Sequence, residues 1–167
     1  MLRLRQLIPP LTIRASTGRL ARAWDFKQKK NLVILFLDAA CDPCEQFLRE
    51  LAAHAASLRD AEAVALAAFL EPPPRSLEES LPPEIIAGAD VSGRSARAFL
   101  GEAAASPRSR LGRGVFVTDR YGELAAQWIP AQHEFPSVAE IFSALDRVQI
   151  ACDECFMPHW PAEEPGE

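Results

Sequence analysis

Apolar positions along the chain change their period several times, and each change marks a predicted element. Residues 31–37, Asn-Leu-Val-Ile-Leu-Phe-Leu, run apolar without a break, the pattern of a central strand covered on both faces. From Pro43 to about Ser57 the period becomes helical. Phe47, Leu48, Leu51 and Ala55 share one face, while Glu45, Arg49 and Glu50 point outward. Pro43 suits the first turn of that helix, where its missing N–H costs nothing. Residues 63–69 (AVALAAF) repeat the buried-strand pattern, and 84–89 predict a short strand followed by a helix from Ser92 to about Ala104. The Pro-rich, acidic stretch 71–83 predicts a surface loop without regular structure, and 105–112 a polar connection.

Two pairs of short alternating segments flank turn sequences. Leu11-Thr12-Ile13-Arg14 and Leu20-Ala21-Arg22-Ala23-Trp24 bracket Ser16-Thr17-Gly18. Val115-Phe116-Val117-Thr118 and Leu124-Ala125-Ala126-Gln127-Trp128 bracket Asp119-Arg120-Tyr121-Gly122. Both read as β-hairpins. A last helix is predicted over 137–150, with Val138, Ile141, Phe142, Leu145 and Val148 facing the core and Ser137 with Glu140 forming a capping box. Trp24, Trp128 and Phe116 are expected in the core. The resulting order is that of an α/β protein, a three-layer α/β/α sandwich with an N-terminal β-hairpin and a central mixed sheet. Residues 1–150 are expected to form one domain and 151–167 a C-terminal tail.

Composition narrows the function. Hydrophobic residues are 49% and charged residues 25% of the 167, which suits a globular domain with a full core. The formal net charge of -5 and the lack of a basic stretch interleaved with aromatics exclude nucleic acid as the main partner. The cluster Lys27-Gln28-Lys29-Lys30 reads as the polar turn before the first buried strand. Residues 1–10 are too short and too broken by charge and proline for a secretory leader, and no apolar run approaches the ~20 residues that span a bilayer. A cytoplasmic protein with no membrane partner is expected.

In that setting cysteines are more often catalytic or metal-binding than structural. All four fall into two CxxC pairs, Cys41/Cys44 and Cys152/Cys155. The first follows a predicted strand and opens a helix. A helix N-terminus stabilises a thiolate through its dipole and free N–H groups, so Cys41 is expected to be the exposed nucleophile and Cys44, one turn on, the resolving thiol. Asp38 and Asp42 oppose negative charge on Cys41, which predicts a reducing poise. Buried or metal-binding cysteines are the rival reading of the same pair.

The N-terminal hairpin, the unit LVILFLDAACDPCEQFLREL, the segment GADVSGRSARAFLG and the hairpin RGVFVTDRYGEL together resemble the redoxin branch of the thioredoxin-like superfamily. That branch includes the alkyl hydroperoxide reductase/thiol-specific antioxidant (peroxiredoxin-like) proteins and membrane-tethered thiol-disulfide reductases. The resemblance covers about Ile8 to Ile150. It implies a thioredoxin-like fold, a thiol-disulfide oxidoreductase with a redox-active CxxC, and an antioxidant role in cell redox homeostasis. It further implies a protein or small-molecule disulfide as substrate, or a peroxide, with an upstream dithiol as reductant and no cofactor. Thioredoxins carry a cis-proline before the second hairpin; alignment on Phe116 and Asp119 puts Arg113 there. Peroxiredoxins have arginine at that place, where it polarises a peroxide, so Arg113 joins Cys41 and Cys44 as a candidate catalytic residue. They also place proline seven residues, and Thr or Ser three residues, before the peroxidatic cysteine. Here those positions are Ile34 and Asp38 counted from Cys41, or Leu37 and Cys41 counted from Cys44, and neither register fits. A thiol peroxidase using Cys41 is therefore the second reading.

The second pair, Cys152-Asp153-Glu154-Cys155, lies before Phe156-Met157-Pro158-His159-Trp160 and has three readings. It relays electrons to Cys41/Cys44, as C-terminal cysteines do in related enzymes. It holds a metal with His159 as a third ligand, which makes the chain a metal-binding or adaptor protein on a redox fold. Or it is a local disulfide or a pair of inert thiols. His54 is expected half-buried or solvated and His133 solvated.

Overall fold

The computed structural model of the protein describes residues 2–90, 92–101, 113–129 and 134–154, with residues 152–154 as backbone only. The described strands are β1 (Thr12–Arg14), β2 (Leu20–Arg22), β3 (Asn31–Leu37), β4 (Ala63–Phe69), β5 (Ile85–Ala89), β6 (Gly114–Thr118) and β7 (Leu124–Trp128). The helices are α1 (Asp42–Ala53), α2 (Ala55–Asp60), α3 (Arg75–Ser80), α4 (Arg94–Leu100) and α5 (Val138–Glu154), with a 3₁₀ turn at Ala23–Phe26.

All seven strands join one sheet in the order β2-β1-β5-β4-β3-β6-β7. β3, β4 and β5 are parallel, whereas β6 runs antiparallel to β3, and β1, β2 and β7 complete the antiparallel flanks. β3 sits between β4 and β6 and every one of its residues is buried. Its alternate side chains feed two cores. Val33, Leu35 and Leu37 pack with Phe47, Leu48 and Leu51 of α1, Leu58 of α2 and Ile141 and Leu145 of α5. Leu32, Ile34 and Phe36 pack on the other face with Phe99 of α4, Phe116 and Leu11. There Phe36, Phe99 and Phe116 meet as tilted and edge-on rings, 5.1 to 6.0 Å between centroids. This is the expected three-layer α/β/α sandwich around a mixed sheet.

Four expectations change. The helix predicted over 43–57 is two helices, because the backbone breaks at His54, φ −106° and ψ 26°. The inward stripe therefore passes to Leu58, which is fully buried, and Ala55 is only half-buried. The stretch 71–83 is not irregular throughout: Arg75–Ser80 forms α3, with Pro74 as its N-cap and Leu77 buried against the core. Proline before a helix start is compatible with the fold, since it removes only an N–H that would be orphaned anyway. Trp24 is not a core residue; it is 72% exposed. Finally, α5 continues to Glu154, four residues beyond the predicted end of the last helix. Its predicted capping box is present: Ser137 N–H and Oγ meet Glu140 Oε2, and Glu140 N–H donates to Ser137 Oγ at 3.2 Å.

β5 approaches β1 so closely that a Cβ on Gly88 would lie 2.8 Å from the carbonyl carbon and oxygen of Arg14. The hairpin that flanks the parallel strands depends on that glycine.

Candidate active site

β3 ends at Leu37, and the short turn Asp38-Ala39-Ala40 delivers Cys41 as the N-cap of α1. Cys41 keeps an extended backbone, φ −128° and ψ 104°, and its carbonyl accepts from Cys44 N–H at 3.0 Å and Glu45 N–H at 3.1 Å. Its Sγ also accepts from Cys44 N–H, at 3.2 Å. A sulfur thus stands where Ser, Thr, Asp or Asn usually cap a helix, in the field of the orphan N–H groups. Cys41 and Cys44 are disulfide-bonded, with Cα atoms 5.2 Å apart. The expectation of an exposed Cys41 is not met: Cys41 is buried, 7% exposed, and Cys44 is 1% exposed, because both sulfurs face the sheet beneath α1. Cys41 is the more accessible of the two, and both sulfurs border the apolar core below α1.

Arg113 immediately precedes β6. Since Gly114 pairs with Phe36 in the β3–β6 ladder, Arg113 comes to the same end of the sheet as the turn after Leu37. It is buried and forms an ion pair with Asp38, Nη2 to Oδ2 at 3.5 Å, the carboxylate itself being half-exposed. The other Asp38 oxygen accepts from Ala40 N–H at 3.0 Å, which braces the turn leading to Cys41. Sequence reasoning singled out Asp38 and Arg113 for separate roles; the structure pairs them. Much of the negative field of Asp38 beside Cys41 is consequently offset by the guanidinium. Asp42 stays exposed in the first turn of α1, and Pro43 beside it is exposed as well.

Phe135 was not anticipated. It stacks on Phe47 with ring centroids 4.6 Å apart and an interplanar angle of 9°, and it packs against the cluster that holds both cysteines. No local pattern marks it, because it lies outside any periodic segment. His54 is exposed, and its Nδ1 donates to the carbonyl of Glu50 at 2.9 Å, away from the sulfurs in sequence and role.

The second pair is only partly within view. Cys152 lies in the last turn of α5, while Cys155, His159, His133, Phe156 and Trp160 fall outside the described residues. The direction of α5 is informative nonetheless. Gln149 Oε1 accepts from Asn31 Nδ2 at 3.4 Å, so this helix ends beside the first residue of β3. Cys41 follows the last. The intervening strand is about 20 Å long at ~3.3 Å per residue. Among the described residues no group of three or more His, Cys, Asp or Glu side chains is arranged to hold a metal ion, and no helix is long and apolar enough to cross a membrane.

With this geometry in hand, comparison with solved structures is direct. The chain is similar to the thiol:disulfide interchange protein DsbE from Chlorobium tepidum, at 18% identity and TM-score 0.65, over 90% of this chain and 98% of that one. It is also similar to the reduced 2-Cys peroxiredoxin of Plasmodium vivax, at 13% identity and TM-score 0.72 with the same coverages. Peroxidoxin BcpB of Mycobacterium tuberculosis gives 17% identity and TM-score 0.70, again over 90% and 98%. The fold is thioredoxin-like. These neighbours include both redox types that the sequence resembles, and at such identities the likeness is one of fold. No protein-family model and no curated protein matches the chain.

Proposed function

We propose that the protein is a thiol-disulfide oxidoreductase that cycles Cys41 and Cys44 between dithiol and disulfide. The observation that carries this reading is the Cys41–Cys44 disulfide at the N-terminus of α1, with Cys41 as the cap. In the reducing direction the Cys41 thiolate, steadied by Cys44 N–H and the helix terminus, attacks one sulfur of a substrate disulfide. A Cys41–substrate disulfide forms, the substrate S–S bond breaks, and the departing thiolate takes a proton from water. Cys44 then loses its proton and attacks Cys41 Sγ. The internal disulfide forms, and the second substrate thiolate leaves and is protonated. Two electrons pass to the substrate, and an upstream dithiol restores the pair by the reverse exchange.

Arg113 acts here as a positioning residue: its ion pair with Asp38 fixes the turn that presents Cys41 and balances charge there. Because the guanidinium is buried against Asp38, this arrangement supports disulfide exchange ahead of peroxide reduction. The test is insulin reduction with dithiothreitol, run beside peroxide consumption. Wild type should accelerate the first, Cys44→Ser should trap a mixed disulfide at Cys41, and Cys41→Ser should do neither. Full exchange activity in Cys41→Ser overturns the proposal; rapid peroxide consumption with slow insulin reduction replaces it by the peroxidase reading. Relay through Cys152/Cys155 is a separate question, and slower turnover in Cys152→Ser is its signature.

A further inference from the structure

At the end of the sheet opposite the cysteine pair, a cavity of about 270 Å³ opens between the 3₁₀ turn, the start of β3 and the β6–β7 turn. Its floor is apolar, made by Ile8, Leu11, Phe26 and Leu32, and Trp24 and Tyr121 stand exposed at its lip. The rim is basic. Arg22, Lys27, Lys30 and Arg120 line it against a single acid, Asp119. That acid's Oδ1 already accepts from the N–H groups of Tyr121 and Glu123, each at 2.8 Å. Lys27 lies over the Trp24 ring, 4.2 Å from its centroid. An exposed apolar groove with an indole at its mouth and cations around it fits an acidic segment that carries aromatic side chains.

The chain supplies one. α5 ends at this end of the sheet, because Gln149 bonds to Asn31 and the neighbouring Lys30 lines the groove. Residues 155–167 follow α5, and at ~3.3 Å per residue they reach roughly 40 Å, ample to turn round the edge of the sheet from one face to the other. They contain Phe156, Met157 and Trp160, then Glu163, Glu164 and Glu167, with no lysine or arginine. We propose that this groove is the docking site of the protein's own C-terminal segment, its aromatic residues entering the apolar floor and its glutamates meeting the basic rim. Docking there anchors the second CxxC at the end of the sheet remote from Cys41, so Cys152/Cys155 acts as a separate thiol pair of the same chain.

The test uses the full chain with Trp128→Phe and Trp160→Phe, which leaves Trp24 as its sole tryptophan. Acrylamide quenching of Trp24 is measured at low salt and at high salt, in that chain, in E163K/E164K, in R22E/K30E, and in the combination of all four reversals. Docking predicts quenching several-fold weaker at low salt than at high salt, a rise to the high-salt value on either pair of reversals, and restored protection in the combination. It also predicts no dependence on protein concentration. Quenching that is the same in all four chains overturns the proposal. Protection that grows with protein concentration overturns it in favour of a second copy of the chain as the occupant.

Discussion

Replacing Leu48 by alanine tests whether α1, and with it the cap that Cys41 forms, is held to the sheet by its buried stripe. Leu48 is fully buried beneath α1, in the cluster that contains both cysteines. The substitution removes about three carbon groups, worth ~0.8 kcal/mol each in transfer, or ~2.4 kcal/mol. If the surroundings do not close, a void of up to about 80 Å³ adds as much as ~2 kcal/mol at ~24 cal/mol per Å³. The expected loss is therefore about 2.5–4.5 kcal/mol, which lowers the melting temperature by roughly 5–15 °C in a domain of this size. Arg49→Ala on the same helix removes only an exposed i,i+4 pair with Glu45 and should cost no more than ~0.5 kcal/mol. Urea unfolding followed by circular dichroism measures both, in oxidised and reduced protein. A loss below about 1 kcal/mol for Leu48→Ala, or one no larger than for Arg49→Ala, refutes the packing argument.

Three further outcomes are expected. Asp38→Asn removes a negative charge beside the Cys41 turn while leaving an oxygen to accept from Ala40 N–H; the thiolate form gains, so the reduction potential against glutathione should become less negative, by on the order of 10–30 mV, and an unchanged or more negative value contradicts the charge argument. Glu140 is held below the ordinary carboxylate value by hydrogen bonds from Ser137, and Glu84 by its bond to Arg59. Between the folded and unfolded values the native state binds fewer protons, so this stability is complete above the ordinary carboxylate range and is lost as pH falls through the folded values. Urea unfolding across acid pH should show a shallower pH slope in Glu140→Gln than in wild type; equal slopes dismiss the contribution. Gly88→Ala drives a Cβ into the backbone of Arg14 and should cost about 1–3 kcal/mol, whereas an alanine variant of wild-type stability shows that β1 can withdraw freely.

Much of the fold is written in local pattern. The unbroken apolar runs of β3 and β4 can be satisfied only between two layers, because a strand with no polar face has no side to give to water. The cysteine pair is equally legible, since a CxxC between such a strand and an amphipathic stripe has one place to go, the helix N-terminus. Pattern fails where a choice depends on partners distant in sequence. Leu77 makes α3 worthwhile inside a Pro-rich acidic stretch only because it meets the core, and the break at His54 hands the inward face from α1 to Leu58. Trp24 looks like a core residue by composition, yet the 3₁₀ turn after β2 leaves it in solvent at the lip of a groove.

The sequence by itself therefore determined the strand–cysteine–helix unit, the two hairpins, the capped last helix and the identity of the redox-candidate sulfurs, all of which rest on neighbours within a few residues. Only the tertiary structure decided three further points. It set Arg113 against Asp38, because the antiparallel β3–β6 register brings residues 75 apart in sequence to one end of the sheet. It laid Phe135 on Phe47, since ring stacking depends on where α5 approaches α1. And it sent the end of α5 to the start of β3, away from Cys41, because α5 follows β7, which runs parallel to β3, and so returns along the sheet in the opposite direction.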